Sequence, residues 1–213
     1  MKSSIIAAIV ALAALASDAE TVRLPPPDLD SGTTVTAALK ARRSDRDFGE
    51  GELSMRELSG LLWAANGFNR PDKRTNATGM NKQTIVIYVC MKSGAYRYDA
   101  KANALEKVSG KDLRQAVAGH QAFAAKAPVS LVIAADVSDP VYKGPWSTLS
   151  HYDAGIVSGN IYLFCAANGL ATVCRGTMDR DTLKKELSLP DSVTLHLNHP
   201  VGRPVGGAAP TTR

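Results

Sequence analysis

The run Thr84-Ile85-Val86-Ile87-Tyr88-Val89-Cys90-Met91 decides the architecture. It is short, almost continuously apolar and rich in β-branched residues, the pattern of a strand buried on both faces. Val129 to Ala135 (VSLVIAA), introduced by Pro128, reads as a second such strand. Residues 193–201 read as a third, with Leu195, Leu197 and His199 alternating.

Working outward, Gly94 turns the chain into an expected hairpin of residues 95–98 against 104–108, with Asn103 in the turn. Ser54-Met55-Arg56-Glu57 forms a capping box, and Leu58, Leu61, Leu62 and Ala65 make one apolar face of the helix that follows, which Gly67 ends. Further helices are expected from residue 33 or 34 to 39 and over 111–124, 153–168 and 179–187, with a short strand at 171–174. The helix at 153–168 is apolar nearly all round, which suits a core or a subunit interface. Helices and strands follow no regular βαβ rhythm. The expected class is therefore α+β, a sandwich with a central mixed or antiparallel sheet flanked by helices.

Composition sets the outer limits. The chain has 213 residues, 45% apolar and 21% charged, enough for one large domain with a core. A net charge of +5 does not point to nucleic acid, because the basic residues are dispersed and no aromatic-interleaved basic run occurs. Residues 1–19 carry Lys2, an apolar stretch over 5–16 and small residues at Ala14, Ala16 and Ala19, the pattern of a cleaved signal peptide. Its apolar run of about 12 residues falls short of the ~20 that span a bilayer. The expectation is a soluble exported protein, periplasmic in a Gram-negative bacterium, without a permanent membrane anchor. Leu24-Pro25-Pro26-Pro27 follows within an extended tether over 20–32, ahead of a single domain over 33–213. Cys90, Cys165 and Cys174 are odd in number and lack a C-x-x-C pair, so buried free thiols are expected.

The stretch Arg42-Arg43-Ser44-Asp45-Arg46-Asp47-Phe48 gathers three guanidinium groups and a hydroxyl at a helix end. That is a clamp for a phosphate, since the planar guanidinium binds oxyanions bidentately and keeps its charge; the other reading is a solvated basic helix end. No G-x-G-x-x-G, Walker loop or G-x-S-x-G elbow occurs. His196 and His199 do not share a strand face, and no H-E-x-x-H is present, so no metal site is expected.

The order of these segments resembles the FMN-dependent nitroreductase family. The segments are 42–48, Leu58 to Gly67, Arg74-Thr75, Tyr96 to Asp99, Ala127 to Ile133, Asp153-Ala154-Gly155 with Asn160, Gly169 to Thr172 and Pro200-Val201-Gly202. The similar branch is the one containing dehydrogenases that form thiazole and oxazole rings in peptides. The resemblance implies a nitroreductase-like fold and a homodimer with two FMN molecules at its interface, beside the apolar helix at 153–168. Arg42, Arg43, Ser44 and Arg46 would hold the flavin phosphate and ribityl chain, with Arg213 joining from the C-terminus. Thr78, Asn81 and Gln83, in a loop that has lost the family's two prolines, would reach the pyrimidine edge of the neighbouring subunit's flavin. Arg175 and Gly176 would lie by the flavin N5, through backbone N–H groups. The Arg175 side chain is left with two readings, over the ring or toward solvent. His151, Tyr152 and Asp153 lie where the ring-forming branch places proton-transfer groups, although Asp153 also reads as a helix cap.

The implied reaction is ping-pong hydride transfer through FMN N5. Electrons pass to a small organic acceptor such as a nitro compound or quinone, or come from an oxidisable substrate, with NAD(P)H or another reductant as donor. The alternative is a binding module without turnover on a degenerate scaffold.

Overall fold

The computed structural model describes residues 20–30 and 32–206. The signal-peptide reading and Arg213 lie outside the described residues.

In chain order the elements are β1 (Thr21–Arg23), α1 (Val35–Ala41), β2 (Phe48–Gly49), α2 (Met55–Asn66), β3 (Phe68–Arg70), β4 (Lys73–Arg74), β5 (Ile85–Met91), β6 (Gly94–Asp99), β7 (Ala104–Ser109), α3 (Arg114–Ala118), β8 (Val129–Asp136), α4 (Leu149–Ala167), β9 (Ala171–Thr172), α5 (Arg180–Glu186) and β10 (Val193–Pro204). The main sheet runs β1-β7-β6-β5-β8-β10-β2, with β9 also on β10; β3 and β4 form a separate ribbon. Every pairing is antiparallel. The fold is α+β, as expected.

The two apolar runs occupy the middle of the sheet because neither face of them tolerates water. Ile85, Ile87 and Val89 of β5, with Leu131 and Ile133 of β8, face Leu58, Leu61 and Leu62 of α2 and Val157 and Ile161 of α4. Tyr88, Cys90, Val132 and Ala134 face the other way, against Leu113, Val117, Leu183 and Leu187 around α3 and α5. Each fully buried Leu or Ile contributes about 1.5–3 kcal/mol by leaving water. The helix α2 starts on the predicted box: Ser54 Oγ accepts from Glu57 N–H, and the Glu57 carboxylate accepts from Ser54 N–H. Asn103 takes a left-handed φ of 46° in the β6–β7 turn, a conformation that asparagine tolerates.

Several expectations are corrected. Residues 21–23 are not a free tether, since β1 pairs with β7 as an edge strand and Leu24 is buried. Asn103 Nδ2 also donates to Pro25 O at 3.0 Å, which pins the proline segment. The helix expected over 111–124 stops at Ala118, because Gly119 turns to φ 58°. The long helix α4 begins at Leu149, four residues early.

In β10 the strict alternation fails. A register shift between Leu195 and Leu197 inserts one residue, so Leu195 packs toward α3 and α5 while Leu197 packs toward α2 and α4. The same shift lets His196 and His199 both meet α4, through His151 and Ser158, where unbroken pleating would separate them. Cys90 and Cys165 sit in opposite layers, and all three cysteines are free, with Cys174 only half-buried. Among the described residues no helix is long and apolar enough to cross a membrane.

Candidate functional site

The clamp segment leaves α1 at Arg42 and is fastened to the body by backbone, Asp45 N–H donating to Thr172 O at 2.9 Å. Arg43 turns back on Asp45, its Nε 2.9 Å from the carboxylate, so part of its donor set is used locally. Arg42 and Arg46 are exposed and make no ion pair among the described residues. The Arg42 guanidinium stands 5.3 Å from the centre of the Tyr162 ring.

Tyr162 is the residue that motif reading missed. Its hydroxyl lies 2.7 Å from Ser44 Oγ and accepts from Cys174 N–H at 2.8 Å. One phenol on α4 therefore ties the clamp to the start of the 174–177 turn. No sequence signal marks it, because a tyrosine in an apolar helix reads as core. The ring is braced edge-on by His199, at 5.1 Å between centroids. His199 is fully buried, with Nε2 2.8 Å from Ser158 Oγ and Nδ1 3.0 Å from Thr172 Oγ1, and burial pushes its pKa down to about 3. A cavity of about 170 Å³ opens beside the clamp, lined in part by Arg43, Asp45, Tyr162, Leu170 and Thr172.

The turn is held from below by Asn198, which is wholly buried. Its backbone exchanges two bonds with Arg175, and its Nδ2 donates to Thr177 O at 2.9 Å. Arg175 fits neither expected reading. It is 6% exposed, and its guanidinium runs beneath the turn to Gln121 Oε1, Asn198 Oδ1, Val117 O and Ala118 O. Two of these acceptors are the terminal carbonyls of α3, an end that favours a cation, and Ala118 O also accepts from Gln121 N–H at 3.1 Å. The Arg175 N–H is also committed, to Asn198 O. Gly176 is exposed, and a Cβ there would meet nothing within 4 Å.

Thr78, Asn81 and Gln83 form a knot of their own. Gln83 donates to Asn81 Oδ1 and Asp72 O, accepts from Arg74 Nε, and gives its N–H to Thr78 Oγ1. Met80, Asn81 and Gln83 all take positive φ, so the loop holds a strained shape. It is seated on the first turns of α4 by Gly79 N–H, which donates to Asp153 Oδ1 at 2.9 Å. Burial raises the Asp153 carboxyl above the usual range. Asp153 and Tyr162 are nine residues apart on one helix, roughly 14 Å along the axis and on opposite sides of it. The structure thus brings Arg42 and Ser44 to Cys174, at the start of the turn that carries Gly176, through Tyr162, but not Thr78, Asn81 or Gln83 of the same subunit.

Comparison with known proteins gives this geometry a family. The nitroreductase family model matches residues 39–203, which spans clamp, loop, turn and β10. The chain belongs to the nitroreductase family. A candidate nitroreductase of Ralstonia eutropha JMP134 has a solved structure with a TM-score of 0.80, 35% identity, and coverage of 88% of this chain and 91% of that one. A candidate nitroreductase of Methanocaldococcus jannaschii is 28% identical over 87% of this chain and 98% of its own. Nitroreductase A of Vibrio parahaemolyticus, at 18% identity, shares the fold with a TM-score of 0.61 over 84% of this chain and 71% of that one. This nitroreductase-family chain is accordingly an oxidoreductase by kinship, with clamp, phenol and turn as the constellation to explain.

Proposed function

We propose that the protein is an FMN-dependent oxidoreductase that works as a homodimer and passes electrons between a reductant and a small organic acceptor. The observation that carries this reading is the Tyr162 hydroxyl, which joins Ser44 of the clamp to Cys174 of the turn. A phosphorylated flavin needs both ends: charge and hydroxyls for its phosphate and ribityl chain, and an exposed, closely approachable backbone for its ring. Arg42 and Arg46 supply uncommitted guanidinium groups, and Gly176 supplies an open backbone whose N–H has no partner among the described residues. These residues fit the group.

When bound, FMN supplies two-electron chemistry that no side chain here possesses. The chain's own part is to bind the phosphate at Arg42, Ser44 and Arg46, to hold the turn rigid through Asn198 and Arg175, and to keep Tyr162 oriented through His199.

Two observations support the homodimer. The cavity beside the clamp, about 170 Å³, is smaller than the ~300–1,000 Å³ typical of sites that enclose a ligand of this class, so further walls are needed. Meanwhile α4 leaves Tyr152 and Ile156 exposed, at 65% and 41%, beside Gly155 and Gly159 with open space above them. A second copy packed on this stripe would bury it and bring Asn81 and Gln83 to the neighbouring flavin, since they cannot reach the clamp of their own subunit. Ile156→Asp is expected to weaken self-association by at least about tenfold, because it leaves a charge in an apolar contact. Sedimentation equilibrium of the two proteins checks this, and a wild-type monomer at all concentrations would end the dimer reading.

Arg46→Ala is expected to weaken FMN binding by about 10- to 100-fold, the worth of one or two charge-assisted bonds to phosphate. The flavin absorption of the purified variant reads the result directly. Full stoichiometric yellow colour in Arg46→Ala would remove the clamp from the site, and a colourless wild-type protein that refuses added FMN would leave only a binding scaffold without turnover.

A further inference from the structure

Beside Gly176 stands a group of side chains that the flavin reading does not use. His151, in the first turn of α4, packs against His196, with ring centroids 4.3 Å apart and planes at 57°. His196 occupies the irregular point of β10, between Leu195 and Leu197. It is only 7% exposed, and its buried Nε2 has no hydrogen-bond partner. Because Arg175 and Asn198 pair antiparallel, His196 lies opposite Thr177, one residue past Gly176. Arg180 completes the group. Its Nη2 donates to Gly176 O at 2.9 Å, and it forms no ion pair among the described residues.

The nearby carboxylates do not neutralise it. Asp179 is spent as the cap of α5, accepting from Thr182 N–H and Oγ1, and Asp181 is exposed in the first turn of α5. One cation and two imidazoles therefore converge on the edge of the turn, with a buried nitrogen still lacking a partner. A bound acceptor atom would satisfy that nitrogen. Burial, with His151 and Arg180 close by, drives the His196 pKa down to about 4, so near neutral pH the ring offers a hydrogen bond while Arg180 carries the charge.

We propose that His151, His196 and Arg180 recognise the carboxylate of an anionic organic acceptor and hold its reducible group over the turn at Gly176. This inference rests on the flavin reading for what the acceptor is used for, but not for its binding. The guanidinium at Arg180 attracts the carboxylate and the imidazoles supply hydrogen bonds, which selects a charged compound over its neutral analogue. Arg180 and His151 are both exposed on the surface, so their replacement leaves the core untouched.

The test uses a matched pair, 4-nitrobenzoate and 4-nitrobenzamide, with the FMN-loaded protein reduced by dithionite and its reoxidation followed by absorbance. The ratio of the two reoxidation rate constants is expected to fall about tenfold in Arg180→Gln, and by a smaller factor in His151→Gln, the scale of one lost charge-assisted contact. A second readout needs no flavin: titration of the protein with benzoate or benzamide while the imidazole resonances of its four histidines are followed by NMR. Benzoate is expected to shift His151 and His196 selectively. Equal shifts with both compounds, or a rate ratio within about twofold of wild type in both variants, would overturn the assignment. Failure to take up FMN would remove the flavin reading alone, because the benzoate titration still decides this one.

Discussion

Arg175→Met is expected to destabilise the protein by about 3–5 kcal/mol, the scale seen when a buried charged group with several partners is removed. The methionine fills much of the same volume but leaves Val117 O, Gln121 Oε1 and Asn198 Oδ1 without that donor, and Ala118 O with only the Gln121 N–H. The two carbonyls end α3, just before the chain reverses at Gly119, so no helical N–H can replace the guanidinium. Arg175→Lys is expected to recover only part of the loss. A single ammonium lacks the fork that spans four acceptors on three segments. Urea denaturation of wild type and both variants checks this; a change below about 1 kcal/mol in Arg175→Met would show that the burial is not stabilising. The consequence for the site follows from position. Arg175 and Asn198 hold the backbone that presents Gly176, so the methionine variant is also expected to hold FMN less tightly.

Acid is expected to weaken the fold well above the range where carboxylates titrate. His199 and His196 are both held neutral by burial, with pKa values pushed down to about 3 and about 4. In the unfolded chain each titrates near 6.5, so below that pH the unfolded state binds protons that the folded state refuses. The stabilisation is complete above about pH 6.5 and declines as pH falls, by roughly 1.4 kcal/mol per unit for each histidine, until the folded value is reached. From pH 7 to pH 5 the two together remove roughly 4 kcal/mol, a large share of the 5–15 kcal/mol typical of a domain. Carboxylates with lowered values, such as Glu57 and Asp112, contribute losses only at lower pH, and Asp153, raised by burial, acts in the opposite sense. Urea midpoints at pH 7 and pH 5 measure the slope, which is expected to fall by about half in His199→Gln. A wild-type midpoint that does not move between the two pH values would refute the assignment.

What was legible in the sequence was legible locally. The strands at 85–91 and 129–136 announce themselves by continuous apolar character, α2 by its capping box and apolar stripe, and the β6–β7 hairpin by Gly94 and Asn103. Each of these signals acts between residues a few positions apart, where backbone sterics and nearest-neighbour hydrogen bonds decide the outcome. The stretch Arg42 to Arg46 reads as a phosphate clamp, and the ordered set of short segments as a nitroreductase-family pattern that the matched residues 39–203 bear out.

What the tertiary structure alone decided lies where distant segments converge. Tyr162 reads as one more core aromatic until Ser44 and Cys174, 118 residues away in one direction and 12 in the other, meet its hydroxyl. Arg175 reads as lying over the ring or pointing to solvent until the end of α3 brings Val117 O and Ala118 O to its guanidinium. His196 and His199 read as belonging to opposite faces until the register shift in β10 turns both toward α4. Patterning along the chain sets which residues must be buried and in what element, because burial and backbone pairing follow local period. It does not set which polar atoms find one another inside, because that depends on register and on how far each helix slides along the sheet. The apolar runs were therefore sufficient for the sandwich, whereas the phenol that joins clamp to turn, and the cationic group beside Gly176, exist only once the layers have closed.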